Sequence, residues 1–142
     1  MSKYIAGIKP VKSDERIPYG PAKSQFGDLY LPKDVKGPMP VVIMVHGGCW
    51  QVEVPTEAIS GIAADLATHG VAVWSIEYRR IGEPGGGYPN MYTDVGMAFD
   101  KLKNVAKTHN LDLTIVIAAG HSAGAHLATW AAARNRLPAG HP

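Results

Sequence analysis

The feature that most constrains this chain is an apolar run that ends in a glycine-bracketed serine and then continues as a helix. Leu113-Thr114-Ile115-Val116-Ile117-Ala118-Ala119 is short and rich in β-branched residues, a composition suited to a strand buried on both faces. It leads into Gly120-His121-Ser122-Ala123-Gly124. Ala125 to Arg134 is alanine-rich and ends on a basic residue, which suits a helix and its C-terminal dipole. A strand that turns directly into a helix brings two stretches of backbone together, and glycines at 120 and 124 permit that approach. The G-x-S-x-G spacing then exposes the Ser122 hydroxyl above the end of a sheet, on a strained backbone. Ser122 is the candidate nucleophile.

A second apolar run, Val41-Val42-Ile43-Met44-Val45, is preceded by Pro38 and Pro40 and ends in His46-Gly47-Gly48-Cys49-Trp50. Two glycines at the end of a central strand let the backbone turn its N–H groups toward a neighbouring cavity, which is how an oxyanion hole forms beside a nucleophile turn. In acyl transfer the Ala123 N–H, which follows the nucleophile, is one such donor.

The intervening sequence predicts strands alternating with helices. Arg16 to Tyr19 and Phe26 to Leu31 read as an antiparallel pair that starts the sheet. Thr56 is a candidate N-cap, and Ile59, Ile62, Ala63 and Leu66 fall on one face of a helix that stops at Gly70. Val71 to Ile76 is a further buried strand. After a loop carrying Gly82, Gly85, Gly86 and Gly87, Asn90 caps a helix that turns Tyr92, Val95, Phe99, Leu102 and Val105 inward. This order predicts right-handed crossovers and a mostly parallel sheet with flanking helices, an α/β fold in a single domain over 1–142.

The two motifs together resemble the α/β-hydrolase family, and within it the small esterase and kynurenine-formamidase-like branch, in which an H-G-G-x-W loop accompanies G-H-S-A-G-A-H. The resemblance runs from about Ile17 to the end of the chain. It implies that Gly48 and Cys49 supply further oxyanion donors through their backbone N–H groups, with His46 and Gly47 supporting the loop. Family members often carry a third glycine where Cys49 stands. It also implies a small ester or N-formyl amide as substrate, an acyl-enzyme on Ser122, and no cofactor.

In that family the triad runs serine, acid, histidine along the chain. The residues after Gly124 include His126 and His141 but no Asp or Glu. The expectation is therefore the N-terminal portion of an α/β-hydrolase domain, apparently truncated, whose C-terminal strands, acid and histidine are absent. His69 and His109 precede strands and belong to the end of the sheet away from Ser122. His121 is expected to point away from the Ser122 hydroxyl, and His126 to act as a structural support.

Other residues carry alternatives. Trp50 and Tyr78 are possible substrate-pocket residues, with packing as the competing role. Arg79 and Arg80 could meet a carboxylate-bearing substrate. A solvated loop in which an arginine pairs with Glu77 or Glu83 is favoured over that. Cys49 reads as a small side chain in a tight loop rather than a nucleophile, and no metal-ligand spacing is present.

Composition narrows the field. A formal charge of +2 with scattered basic residues argues against nucleic acid. One cysteine excludes an internal disulfide framework, and Met1-Ser2-Lys3-Tyr4 has no signal-like apolar region. No run reaches membrane-spanning length, so the expected location is cytoplasmic. Without its neighbouring strands, the Leu113–Ala119 run becomes an exposed apolar edge, which predicts a homo-oligomer or pairing with a complementary chain. Three functions follow: a serine hydrolase, an incomplete remnant that binds ligand or partner without turnover, or one half of a split enzyme.

Overall fold

Alternating side chains on one strand organise the whole core. The strand is β3, Met39–Val45, in a computed structural model that describes Gly7 and residues 9–141; Met1 to Tyr4 lie outside the described residues. Val41, Ile43 and Val45 point to one face and Val42 and Met44 to the other, and all five are buried. Each aliphatic side chain buried in this way contributes roughly 1.5–3 kcal/mol.

The other strands are β1 Glu15–Pro18, β2 Phe26–Tyr30, β4 Ala72–Ile76 and β5 Leu111–Gly120. Among the described residues they form a five-stranded mixed sheet in the order β1-β2-β4-β3-β5. Its β4-β3-β5 block is parallel, and β1 and β2 extend it antiparallel, as the sequence predicts for the start of the sheet.

Helices cover both faces. Helix α1, Ser60–Thr68, follows a 3₁₀ turn at Thr56–Ile59 and packs on Tyr30, Val42, Met44 and Val73. Of the expected face, Ala63 is fully buried and Ile59 and Leu66 pack on the same cluster, whereas Ile62 is exposed and Ser60 and Ala67 are buried instead. Thr56 is not a side-chain cap. It is buried, and its hydroxyl meets that of Ser75 at 2.8 Å. On the opposite face lie α2, Asn90–His109, and α3, Ala123–Ala132. Val95, Leu102 and Val105 are buried there as expected, while Tyr92 and Phe99 pack at the margin. Asn90 does not cap α2, because its side-chain amide donates back to the Gly85 carbonyl at 3.0 Å.

β5 forms the exposed apolar edge that the sequence reading expects, although its composition suits burial on both faces. It lies at the edge of the sheet, and Leu113, Ile115, Val116 and Ile117 are 40–57% exposed rather than buried on both faces. The ladder with β3 slips between Pro40, opposite Asp112, and Val41, opposite Val116. Residues 113–115 bulge out of register, and Asp112 holds the bend by accepting from the Thr114 N–H at 2.8 Å and its hydroxyl at 2.6 Å.

Candidate active site

Register brings the two motifs together. Val45 at the end of β3 stands opposite Gly120 at the end of β5, so the segments that follow both strands emerge side by side. Three glycines let them touch. A Cβ on Gly124 would lie 2.0 Å from the Val45 carbonyl oxygen, so only glycine lets α3 begin against the end of β3. A Cβ on Gly120 would meet the Gly124 carbonyl at 2.4 Å. A Cβ on Gly47 would lie 2.6 Å from the His121 carbonyl oxygen and 3.3 Å from Ser122 Cβ, which places the His46–Trp50 loop directly against the serine.

Ser122 is exposed, with φ 54° and ψ −120°, a conformation that L-residues rarely adopt. The sequence anticipated this strain. On the facing loop Gly48, Cys49 and Trp50 have φ values of 111°, 53° and 59°. The left-handed backbone at Cys49 accounts for a preference for glycine there. Cys49 itself is an exposed free thiol. Among the described residues, the backbone N–H groups of Gly48, Cys49 and Ala123 have no acceptor within the chain. They are unfilled donors on the two segments that meet where Gly47 lies against Ser122.

The other expected site residues divide. His46 is fully buried, with Nδ1 2.8 Å from the Gly47 carbonyl oxygen and Nε2 2.7 Å from Glu77 Oε1. Tyr78 is no pocket residue. It is fully buried, its ring stacks on His46 at 4.6 Å, and its hydroxyl donates to the His46 carbonyl at 3.1 Å. Burial, with the neighbouring Glu77 charge, pushes the Tyr78 hydroxyl well above its ordinary range. Trp50 is half-buried, its indole N–H shielded from solvent without an acceptor among the described residues. Its ring meets His126 edge-on at 5.7 Å. His126 also meets Tyr92 edge-on at 5.8 Å, and Tyr92 meets Trp130 at 4.9 Å. An aromatic group thus borders the first turn of α3.

No carboxylate among the described residues contacts His126; its hydrogen-bonding neighbour is the Tyr92 hydroxyl, 3.4 Å from Nε2. His69 caps the end of α1 and His109 lies 3.2 Å from Glu15, both at the end of the sheet away from Ser122. A cavity of about 460 Å³ among Val11, Tyr30, Leu31, Val35, Ala67 and Gly70 also lies at that far end.

The burial of Asp94 and of Glu77 escaped the sequence reading. Asp94, fully buried on α2, accepts from the Gln25 amide at 2.7 Å, the Arg79 N–H at 3.0 Å, and Arg79 Nε and Nη2 at 2.8 and 2.6 Å. Arg79 is therefore committed to Asp94 rather than to substrate or solvent. A signal existed, because Asp94 falls within the inward stripe of α2 with Met91 and Ala98. Glu77, just past β4, left no such signal. Arg80 lies 3.4 Å from Glu77 and 3.3 Å from Glu83, the pairing expected, but inside the protein rather than in a solvated loop. Among the described residues no helix is long and apolar enough to cross a membrane.

Known proteins resemble this chain in sequence and in fold. The BD-FAE family model matches residues 27–138, which include both motifs. A probable isoprenylcysteine alpha-carbonyl methylesterase of Oryza sativa is 32% identical over 113 residues, covering 80% of this chain and 27% of the relative. Kynurenine formamidase of Salmo salar is 32% identical over 112 residues, covering 79% of this chain and 36% of that enzyme. The chain thus spans about a third or less of these relatives. Esterase B of Lactobacillus rhamnosis, solved with a bound inhibitor, superposes with a TM-score of 0.79 at 26% identity, over 94% of this chain and 44% of its own. With its mixed sheet and flanking helices resembling the esterase α/β-hydrolase fold, the chain belongs to the BD-FAE family.

Proposed function

We propose that this chain carries the nucleophile and oxyanion-binding half of a serine hydrolase acting on a small ester or N-formyl amide. The observation that carries the reading is the Ser122 turn, an exposed serine on a strained backbone, met at Gly47 by a loop whose N–H groups, with that of Ala123, are unfilled. Ser122 Oγ attacks the carbonyl carbon while its proton passes to a base. The negative charge on the carbonyl oxygen is received by the N–H groups of Gly48, Cys49 and Ala123, and each well-placed donor is worth roughly 10²–10³-fold in rate. Collapse breaks the bond to the alcohol or amine, which leaves with a proton, and water then releases the acyl group from Ser122. The aromatic border of Trp50, Tyr92, His126 and Trp130 suits an apolar or aryl substituent. The names of the relatives, methylesterase, formamidase and esterase, agree with that substrate class.

A second reading is favoured by one observation: no described carboxylate and histidine form a pair beside Ser122. In this reading the base and acid arrive on a polypeptide that adds a strand to the open edge of β5, and the chain alone binds without turnover. Homo-oligomerisation through the same edge is the variant of this reading that needs no second gene product.

A fluorophosphonate probe separates the readings. Attack by Ser122 forms a P–O bond and expels fluoride, and intact mass reports the adduct. An adduct on this chain that disappears in Ser122→Ala supports the hydrolase reading. No adduct on folded protein moves the weight to the second, which then predicts labelling once a partner fragment is supplied. Slow turnover of an activated ester does not discriminate, since roughly 10³–10⁴-fold acceleration can survive loss of triad members.

A further inference from the structure

Glu77 is an ionisable side chain at the end of β4 with only 2% of its surface exposed, and nothing in the proposed chemistry consumes it. Its two oxygens are fully engaged. Oε1 accepts from the Tyr78 N–H at 3.0 Å and lies 2.7 Å from His46 Nε2, while Oε2 accepts from the Thr56 N–H at 3.0 Å. Arg80, itself paired with Glu83, approaches Oε1 at 3.4 Å. Burial pushes the Glu77 carboxyl up, but His46, its hydrogen bond and Arg80 outweigh burial and hold it below its ordinary value. Glu77 is therefore an acceptor only.

The partner ring is constrained from both sides. His46 Nε2 faces this carboxylate, and Nδ1 faces the Gly47 carbonyl oxygen at 2.8 Å. A carbonyl and a carboxylate both accept and neither donates, so the two contacts are hydrogen bonds only if each ring nitrogen carries a proton. The ring is stacked on Tyr78 and closed to solvent, which leaves no other partner to choose.

The Gly47 carbonyl shares a planar trans peptide with the Gly48 N–H, and the two point in opposite directions. Whatever fixes the carbonyl also aims the N–H. We propose that Glu77 is a positioning residue for the candidate oxyanion hole: it holds His46 as a doubly protonated ring, whose Nδ1–H fixes the Gly47 carbonyl and so aims the Gly48 N–H. The inference rests on the hydrolase reading for its consequence, but the relay itself is a property of the folded chain.

Nitrogen-15 spectra of the histidine rings test the relay without any activity. In the wild-type chain at neutral pH, His46 shows two protonated ring nitrogens with slowly exchanging N–H protons. In Glu77→Gln one of them becomes bare and the Gly48 amide resonance moves, while Glu77→Asp restores part of both. The same variants are then treated with the fluorophosphonate. Glu77→Gln labels Ser122 about 10²-fold more slowly, the scale of one lost oxyanion donor, and probe concentration at half-maximal rate stays unchanged. A wild-type His46 ring with one bare nitrogen overturns the proposal, as does a Glu77→Gln variant that labels at the wild-type rate. If the wild-type chain is never labelled, the hydrolase reading fails while the ring spectrum still decides the relay. Should Glu77→Gln not fold, the wild-type spectrum decides alone.

Discussion

β3 and β5 are near equals as sequences and opposites as structures. Both are runs of valine, isoleucine and small apolar residues, they hydrogen-bond to each other in parallel, and each ends in one half of the candidate site. Yet residues 41–45 of β3 are at most 8% exposed, whereas Leu113, Ile115, Val116 and Ile117 of β5 are 40–57% exposed. Place in the sheet order makes the difference. Among the described residues β3 has strands on both sides and helices on both faces, whereas β5 has one neighbouring strand and an open edge. Such an edge, long and apolar, is a template for pairing with another strand.

The sharpest way to break this comparison is to truncate the same residue type on each strand. Ile43→Ala, at 2% exposure, is expected to cost about 2–5 kcal/mol in urea unfolding. Ile117→Ala, at 57% exposure, should change stability by less than about 0.5 kcal/mol. Equal losses at the two positions would mean that β5 is covered in solution. Sedimentation across a concentration range would then identify a second copy as the cover, or leave an intramolecular one.

A smaller effect tests the join between the strands. Gly124→Ala puts a methyl group 2.0 Å from the Val45 carbonyl oxygen, a backbone atom that cannot swing aside. The expected cost is about 1–3 kcal/mol, with loss of probe labelling at Ser122 as α3 is pushed off β3. Full labelling with wild-type stability would show that the two motifs do not depend on this contact.

These contrasts explain what the sequence could and could not disclose. The Ser122 turn was legible because G-x-S-x-G encodes its own backbone geometry, and the close approaches at Gly120 and Gly124 follow from the absent side chains. The strand and helix order was legible from local apolar periodicity. Composition alone suited Leu113–Ala119 to burial on both faces, and its exposure was legible only from its place in the fold it resembles, because a run describes what a strand could bury and leaves its neighbours unspecified. Tyr78 and Glu77 were misread for a related reason. Both follow β4 like loop residues, and only the His46 ring, 31 positions from Glu77, explains why they turn inward. Ile62 shows the same limit at smaller scale, since it is exposed while its stripe-mates Ile59, Ala63 and Leu66 pack on the core.

The smallest predicted effects extend the comparison to the carboxylates. Glu77 in the core and Asp112 on β5 are both held below their ordinary values, for different reasons. For Glu77 burial opposes the charge, and His46 with Arg80 overcomes it. For Asp112 the cause is hydrogen bonding from the Thr114 side chain and backbone, at a partly exposed position. A carboxyl lowered in the folded state binds fewer protons there than when unfolded. Its stabilising contribution is complete above the unfolded-state value, 4.5 for Glu77, and is lost as pH falls through the lower folded value. Urea midpoints measured from neutral pH down to about pH 3 should therefore fall less steeply for Glu77→Gln than for wild type. Asp112→Asn should leave that acid limb within scatter, because water replaces what the bend in β5 provides. If Asp112→Asn flattens the limb as much as Glu77→Gln, then β5 is shielded from solvent in the protein as it exists, and the open edge is already occupied.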